Sequence, residues 1–319
     1  MACRANTIPC VQPRVPDDHR DSTTPVGVGD RSAVPELSTV IGIAPWVVLA
    51  VAIASALRAT SRGLDLTDES LYIVLAMDPD LYLDTRSHAH LFWGMGLDLV
   101  QTIRNLRILN VLLLLGSHLV FTLSFWRSLP SLGITLPNQH ARWGVGAALI
   151  SCALLPFAWL PQSPSYNNLA VIVVVLLSAI ALELRHAPSG KWRSLLLVAV
   201  GTLVWMLALG RVGSLVVVPA IAVLSRPRYQ HFRHLFDDAK RALGGLTVAA
   251  LATHLFLAPL SDIARGHLAE IDATYGIGHL LNSYRRELWE MADWIFGPFW
   301  PALIVAALSG ALTARPRTR

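Results

Sequence analysis

The chain reads as an all-α, polytopic membrane protein of about eight transmembrane helices, and three observations carry that expectation. Of its 319 residues, 54% are apolar and only 15% charged, too little polar side chain to coat a water-soluble globule of this size. The apolar residues are also blocked into long runs with few or no charges, where a soluble core shows short periodic stripes. Finally, the short connections RHAPSGKWR and SRPRYQHFRHLFDDAKR are basic, whereas PQSPSYNN carries no charge, and that asymmetry sets orientation across a bilayer.

With a cytoplasmic N-terminus, the cytoplasmic pieces hold 17 of the 26 Lys and Arg residues, and the outer pieces hold 13 of the 21 Asp and Glu residues. The formal charge of +5 is therefore a topology signal. Basic residues are scattered between apolar runs and form no dense patch with interleaved aromatics, so no nucleic-acid partner is expected. Cys3 and Cys10 lie in the polar tail and Cys152 in an apolar run, a distribution that indicates neither a disulfide framework nor a thiolate metal site.

Residues 1–36 are rich in Pro, Asp, Arg, Ser and Thr with no apolar stretch, which predicts a disordered cytoplasmic tail and no secretory signal. Residues 37–314 form the transmembrane domain. Its first expected span, 37–57, leads into an outer loop over 58–107 that is rich in acids and in short apolar-periodic stretches such as ESLYIVLA and QTIRNLRIL. These predict helices lying in the interface. In LDLTDESLY, Thr67 can cap a helix whose first turn holds Asp68 and Glu69, with Tyr72 four residues after Asp68 on the same face. Two accounts fit this segment. A carboxylate at the membrane edge can act as general base toward an acceptor hydroxyl or amine, or the acids simply oppose the positive end of a helix dipole.

Further along the loop, Asp78 and Asp80 in MDPDLYLD have a spacing that can present carboxylates to a divalent metal, although the proline between them equally fits a plain turn. No cofactor is otherwise indicated. His88 and His90 alternate in RSHAH, and without a third ligand they read as a surface pair. Arg86, Arg104 and Arg107 lie where basic residues are disfavoured, which fits either a phosphate to bind or snorkelling to head groups.

Spans are expected next at 108–126, 143–160, 169–182, 195–209, 212–224, 243–260 and 294–314, with a second acidic outer loop at 261–293 and a basic cytoplasmic tail at 315–319. Trp126, Trp143, Trp159, Trp192 and Trp294 fall at proposed helix ends, as an aromatic belt requires. PQSPSYNNLA contains a Ser-Tyr-Asn-Asn turn that caps the helix it opens and sets Tyr166 in that belt. Arg211 interrupts WMLALGRVGSLVVVP between two apolar runs, a costly position that marks either a functional cation or the outer tip of a tight hairpin. His118 and His254 read as packing residues within apolar helices.

On GLDLTDESLYIV, PSYNNLA and LALGRVGS, in that order and on one topological side, the chain resembles the GT-C superfamily of membrane glycosyltransferases. That group includes protein O-mannosyltransferases and the aminoarabinose transferases of lipid A. The likeness covers most of residues 40–310. It implies a bacterial plasma-membrane fold in which outer-loop helices roof a cavity and a polyprenyl-phosphate sugar enters from the membrane lipids. An acidic residue then activates a glycan, lipid or protein acceptor. By position, Asp68 becomes the base and Glu69 its neighbour, Tyr72, Tyr166, Asn167 and Asn168 shape the cavity, and Arg86 and Arg211 meet the donor phosphate. Members usually carry further helices and often a soluble C-terminal portion, so a chain stopping after TARPRTR resembles a short or truncated member. Two other classes fit the same composition, a transporter or flippase and a noncatalytic assembly subunit.

Overall fold

Inside hydrocarbon every backbone N–H and C=O must be bonded within its own segment, so long apolar runs fold as helices. The computed structural model describes residues 33–61, 68–78, 87–134, 139–158, 164–187, 190–210, 212–224, 232–274 and 285. Among these residues the regular elements are all helical. In chain order they are α1 (Ala33–Ala59), α2 (Asp68–Met77), α3 (Ala89–Val100), α4 (Ile103–Ser128), α5 (Gln139–Ser151), α6 (Tyr166–Leu184), α7 (Lys191–Gly210), α8 (Val217–Leu224), α9 (Phe232–Phe256) and α10 (Leu260–Thr274). The segments 1–32, 294–314 and 315–319 lie outside the described residues.

Among the described residues three helices are long and apolar enough to cross a membrane: α4 with the turn that follows it, α6 and α7. A fourth is reached if α9 and the start of α10, bent by 103° from each other, count as one broken span. Leu119, Leu195, Val248 and Phe256 point outward from these helices, an apolar surface that lipid covers and water would not. The chain is a membrane protein.

Polar residues inside α4 are absorbed locally. The hydroxyls of Ser117, Thr122 and Ser128 donate to the carbonyls of Leu114, His118 and Ser124 at 2.7–2.8 Å, and His118 Nδ1 lies 2.9 Å from the same Leu114 oxygen. Each group is thereby satisfied before the helix meets a neighbour. Leu114, Leu169, Val173, Leu177 and Leu207 then form the dry centre between α4, α6 and α7.

The start of α4 differs from the sequence expectation. IRNLRIL is not part of an interfacial helix but the first turns of α4, which begins at Ile103, before the expected 108. The break falls at Gln101, held at φ 62° in the left-handed region. Thr102 caps α4 by accepting from the Asn105 N–H at 3.2 Å, and the Asn105 amide donates back to Val100 O at 3.1 Å, closing α3. Arg107, expected at an exposed loop end, is buried and donates to Thr60 O at 3.0 Å just beyond the end of α1. The mostly apolar α3 packs beside α2.

Glycines set the α7–α9 contact. A Cβ on Gly201 would overlap the Ala242 carbonyl, and one on Gly245 the Val198 carbonyl, so only glycine allows the two backbones to approach this closely. Val198 faces Gly245, and Trp205 Nε1 donates to Thr253 Oγ1 at 2.8 Å. Both partners advance together along the two helices, so α7 and α9 run parallel. Between Gly210 and Phe232 the chain must therefore return along the length of α7, roughly 30 Å. A 3-10 turn at Val212–Val216 and α8 begin that return. The described part of α8 is about 12 Å long, shorter than the span expected at 212–224.

At the opposite end, Arg193 donates to Leu184 O at 2.9 Å and pairs with Asp238, joining α6, α7 and α9. An apolar cavity of about 180 Å³ runs from this pair along α7 as far as Val204, lined also by Leu177, Val200 and Ile221.

Candidate functional site

The last carbonyls of a helix have no partner within it, and at the end of α7 the segment before α3 supplies them. Ser87 Oγ donates to Gly210 O at 2.7 Å and the His88 N–H donates to Leu209 O at 2.8 Å. Arg86 and Arg211 lie outside the described residues, but they are the chain neighbours of Ser87 and Gly210. Ser87 and Gly210 thus meet at one junction, although they are far apart along the chain.

The start of α6 is fixed beside it. Ser165 is extended, caps α6 by accepting from the Asn168 N–H at 3.3 Å, and offers its carbonyl to the Trp93 indole N–H at 3.2 Å. Trp93, on α3, is 2% exposed. Asn168 is fully buried, Tyr166 and Asn167 are half-buried, and Gly210 lies against Leu169 and the Tyr166 carbonyl.

From the other side comes α2. It begins at Asp68, as the DES signature requires, and its Tyr72 ring meets that of Tyr166 edge to face at 5.8 Å between centroids. Ile73, Leu75 and Ala76 are buried along the helix. Asp68 and Glu69 are fixed only by their place in its first turn. Asp78 follows α2 and is exposed, while Asp80 lies outside the described residues. Among the described residues no group of three or more His, Cys, Asp or Glu side chains is arranged to hold a metal ion.

Two sequence expectations change. Arg107 is buried and donates to Thr60 O at the end of α1. His88 and His90, expected as a surface pair, are 0% and 5% exposed. Their ring centroids are 5.8 Å apart, His90 Nδ1 lies 3.0 Å from Ser87 O, and the ring of His267 on α10 packs edge-on to His88 at 5.0 Å. Burial pushes the His267 imidazole below its usual pKa. No local pattern pairs His267 with RSHAH, since the contact exists only because α10 turns across the end of the bundle. There Ala258 and Ile263 bury against Leu91 and Leu209.

These contacts bring α2, α3 and α10 together with the start of α6 and the end of α7 at one end of the bundle, where phenol, amide, hydroxyl and imidazole groups gather. Comparison of the chain with family models, with curated proteins and with solved structures finds no match.

Proposed function

We propose that the protein is a multi-pass membrane glycosyltransferase that moves a sugar from a polyprenyl-phosphate donor to a glycan, lipid or protein acceptor on the extracytoplasmic face of a bacterial plasma membrane. In this reading the N-terminus is cytoplasmic and about eight segments span the bilayer. Asp68, with Glu69 beside it, takes the proton of the acceptor hydroxyl as the new bond forms at the anomeric carbon. The lipid phosphate leaves with the electron pair of the old carbon–oxygen bond, its charge met by Arg86 and Arg211. Tyr72, Tyr166, Asn167 and Asn168 shape the cavity for the sugar.

The observation that carries this reading is the convergence at one end of the bundle of segments widely separated in sequence: Tyr72 on Tyr166, Trp93 on Ser165, and Ser87 on Gly210. Purified full-length protein given a polyprenyl-phosphate sugar and acceptor candidates tests it. Asp68→Asn is expected to reduce transfer by about 10²–10⁴-fold, while Asp17→Asn in the tail leaves it unchanged. Undiminished transfer by Asp68→Asn would remove the base assignment.

A second reading, a transporter or flippase, is favoured by the 103° break between α9 and α10, because interrupted helices frame substrate sites in transporters. Substrate flux into proteoliposomes without any glycoside product would select it.

A further inference from the structure

We propose that His88, His90 and His267 form an acid-sensitive latch that holds α10 across the end of the bundle at neutral pH and releases it on protonation. This inference does not depend on the transfer reading. α3 brings His88 and His90 at its start, α10 brings His267, and among the described residues Ile263 of α10 and Ala258 just before it also bury against Leu91 and Leu209. With His88 fully buried and its ring 5.0 Å from that of His267, adding positive charge to one imidazole penalises charge on the other.

α9 breaks at Leu257–Pro259, and the Leu260 N–H that opens α10 donates to His254 Nδ1 at 3.3 Å.

The elements packed against the cluster carry further charged groups. On α10, Asp262 and Arg265 pair with each other at 3.4 Å, and Glu270 follows His267 by three residues. α3 carries exposed Asp98, and α2 carries Asp68 and Glu69 at its start and Asp78 just beyond its end. The end of α7 offers backbone carbonyls, and the sequence carries Arg211 after Gly210 and Arg86 before Ser87. Because burial lowers the folded value of His267, docking is fully stabilised above the ordinary histidine pKa of about 6.5. It weakens as pH falls from there through the folded value, by tenfold per pH unit for each proton taken up on release.

The test uses the full chain in lipid nanodiscs with Cys3, Cys10 and Cys152 replaced by serine and spin labels at Leu99→Cys and Leu268→Cys, both exposed positions. At pH 7.5 one distance is expected between the labels. Between pH 6.5 and 5.5 the ratio of a second, longer distance to the first should rise about fivefold. His267→Phe, which keeps an aromatic edge against His88 and cannot charge, and His267→Gln, which keeps polarity, should both lose this response. An unchanged distance distribution from pH 7.5 to 5, or a wild-type pH response in both variants, would overturn the latch.

Discussion

Where α7 begins, charge holds the bundle together. Arg193, nearly buried, serves Leu184 O and Asp238 at once, and next to it Arg127 reaches Glu183 at 3.1 Å. Where α7 ends, the contacts described between helices are made by a hydroxyl on Gly210, an indole on Ser165, a phenol on a phenol and one imidazole on another. At the charged end the contacts rest on ion pairs, whereas at the other end most of those described join uncharged groups.

The largest expected effect breaks the charged end. Arg193→Met strands the mostly buried Asp238 carboxylate and should destabilise the fold by about 3–5 kcal/mol in detergent unfolding followed by circular dichroism. Adding Asp238→Leu should recover most of that loss. A double variant as unstable as the single would mean that the pair is not the source of the stability.

Next in size is the glycine seam between the two ends. Gly201→Ala forces a methyl onto the Ala242 carbonyl and should cost about 2 kcal/mol in the same measurement. Gly116→Ala, with open space at its Cβ position, should be neutral or stabilising by up to about 1 kcal/mol.

The smallest effects separate the ends most cleanly. Ser165→Ala removes the α6 cap and should cost about 1 kcal/mol, and by loosening Tyr166 it should also lower the proposed transfer activity. Arg127→Ala removes a pair whose arginine is 70% exposed and should cost about 0.5 kcal/mol or less, with transfer unchanged. Equal effects of the two variants on transfer would erase the functional distinction between the ends.

Much of this architecture is legible in the sequence because hydrocarbon imposes a simple rule. The charge-free runs around Val173 and Val200 have to be helices, and the Ser-Tyr-Asn-Asn turn announces its own cap at Ser165. The start of α4 is obscured because Arg104 and Arg107 look like loop residues, and only the tertiary contact with Thr60 reveals that one of them is buried. Gly201 and Gly245 carry no local mark, since their meaning lies in the backbone opposite. The same holds for His267, whose partners are brought to it by a bend around Pro259. Of the candidate site, Tyr72 and Tyr166 are individually readable as members of two motifs. That they touch is not, because no spacing rule reaches from α2 to α6.

The parallel course of α7 and α9 has a consequence of parity. Two neighbouring helices pointing the same way need an odd number of crossings between them, so the stretch after Gly210 is as much a part of the α7–α9 seam as the glycines that form it. Removing that stretch would turn α9 end for end. Gly245 would then no longer meet Val198, Thr253 would leave Trp205, and α10 with its histidine would be carried to the far end of the bundle from His88.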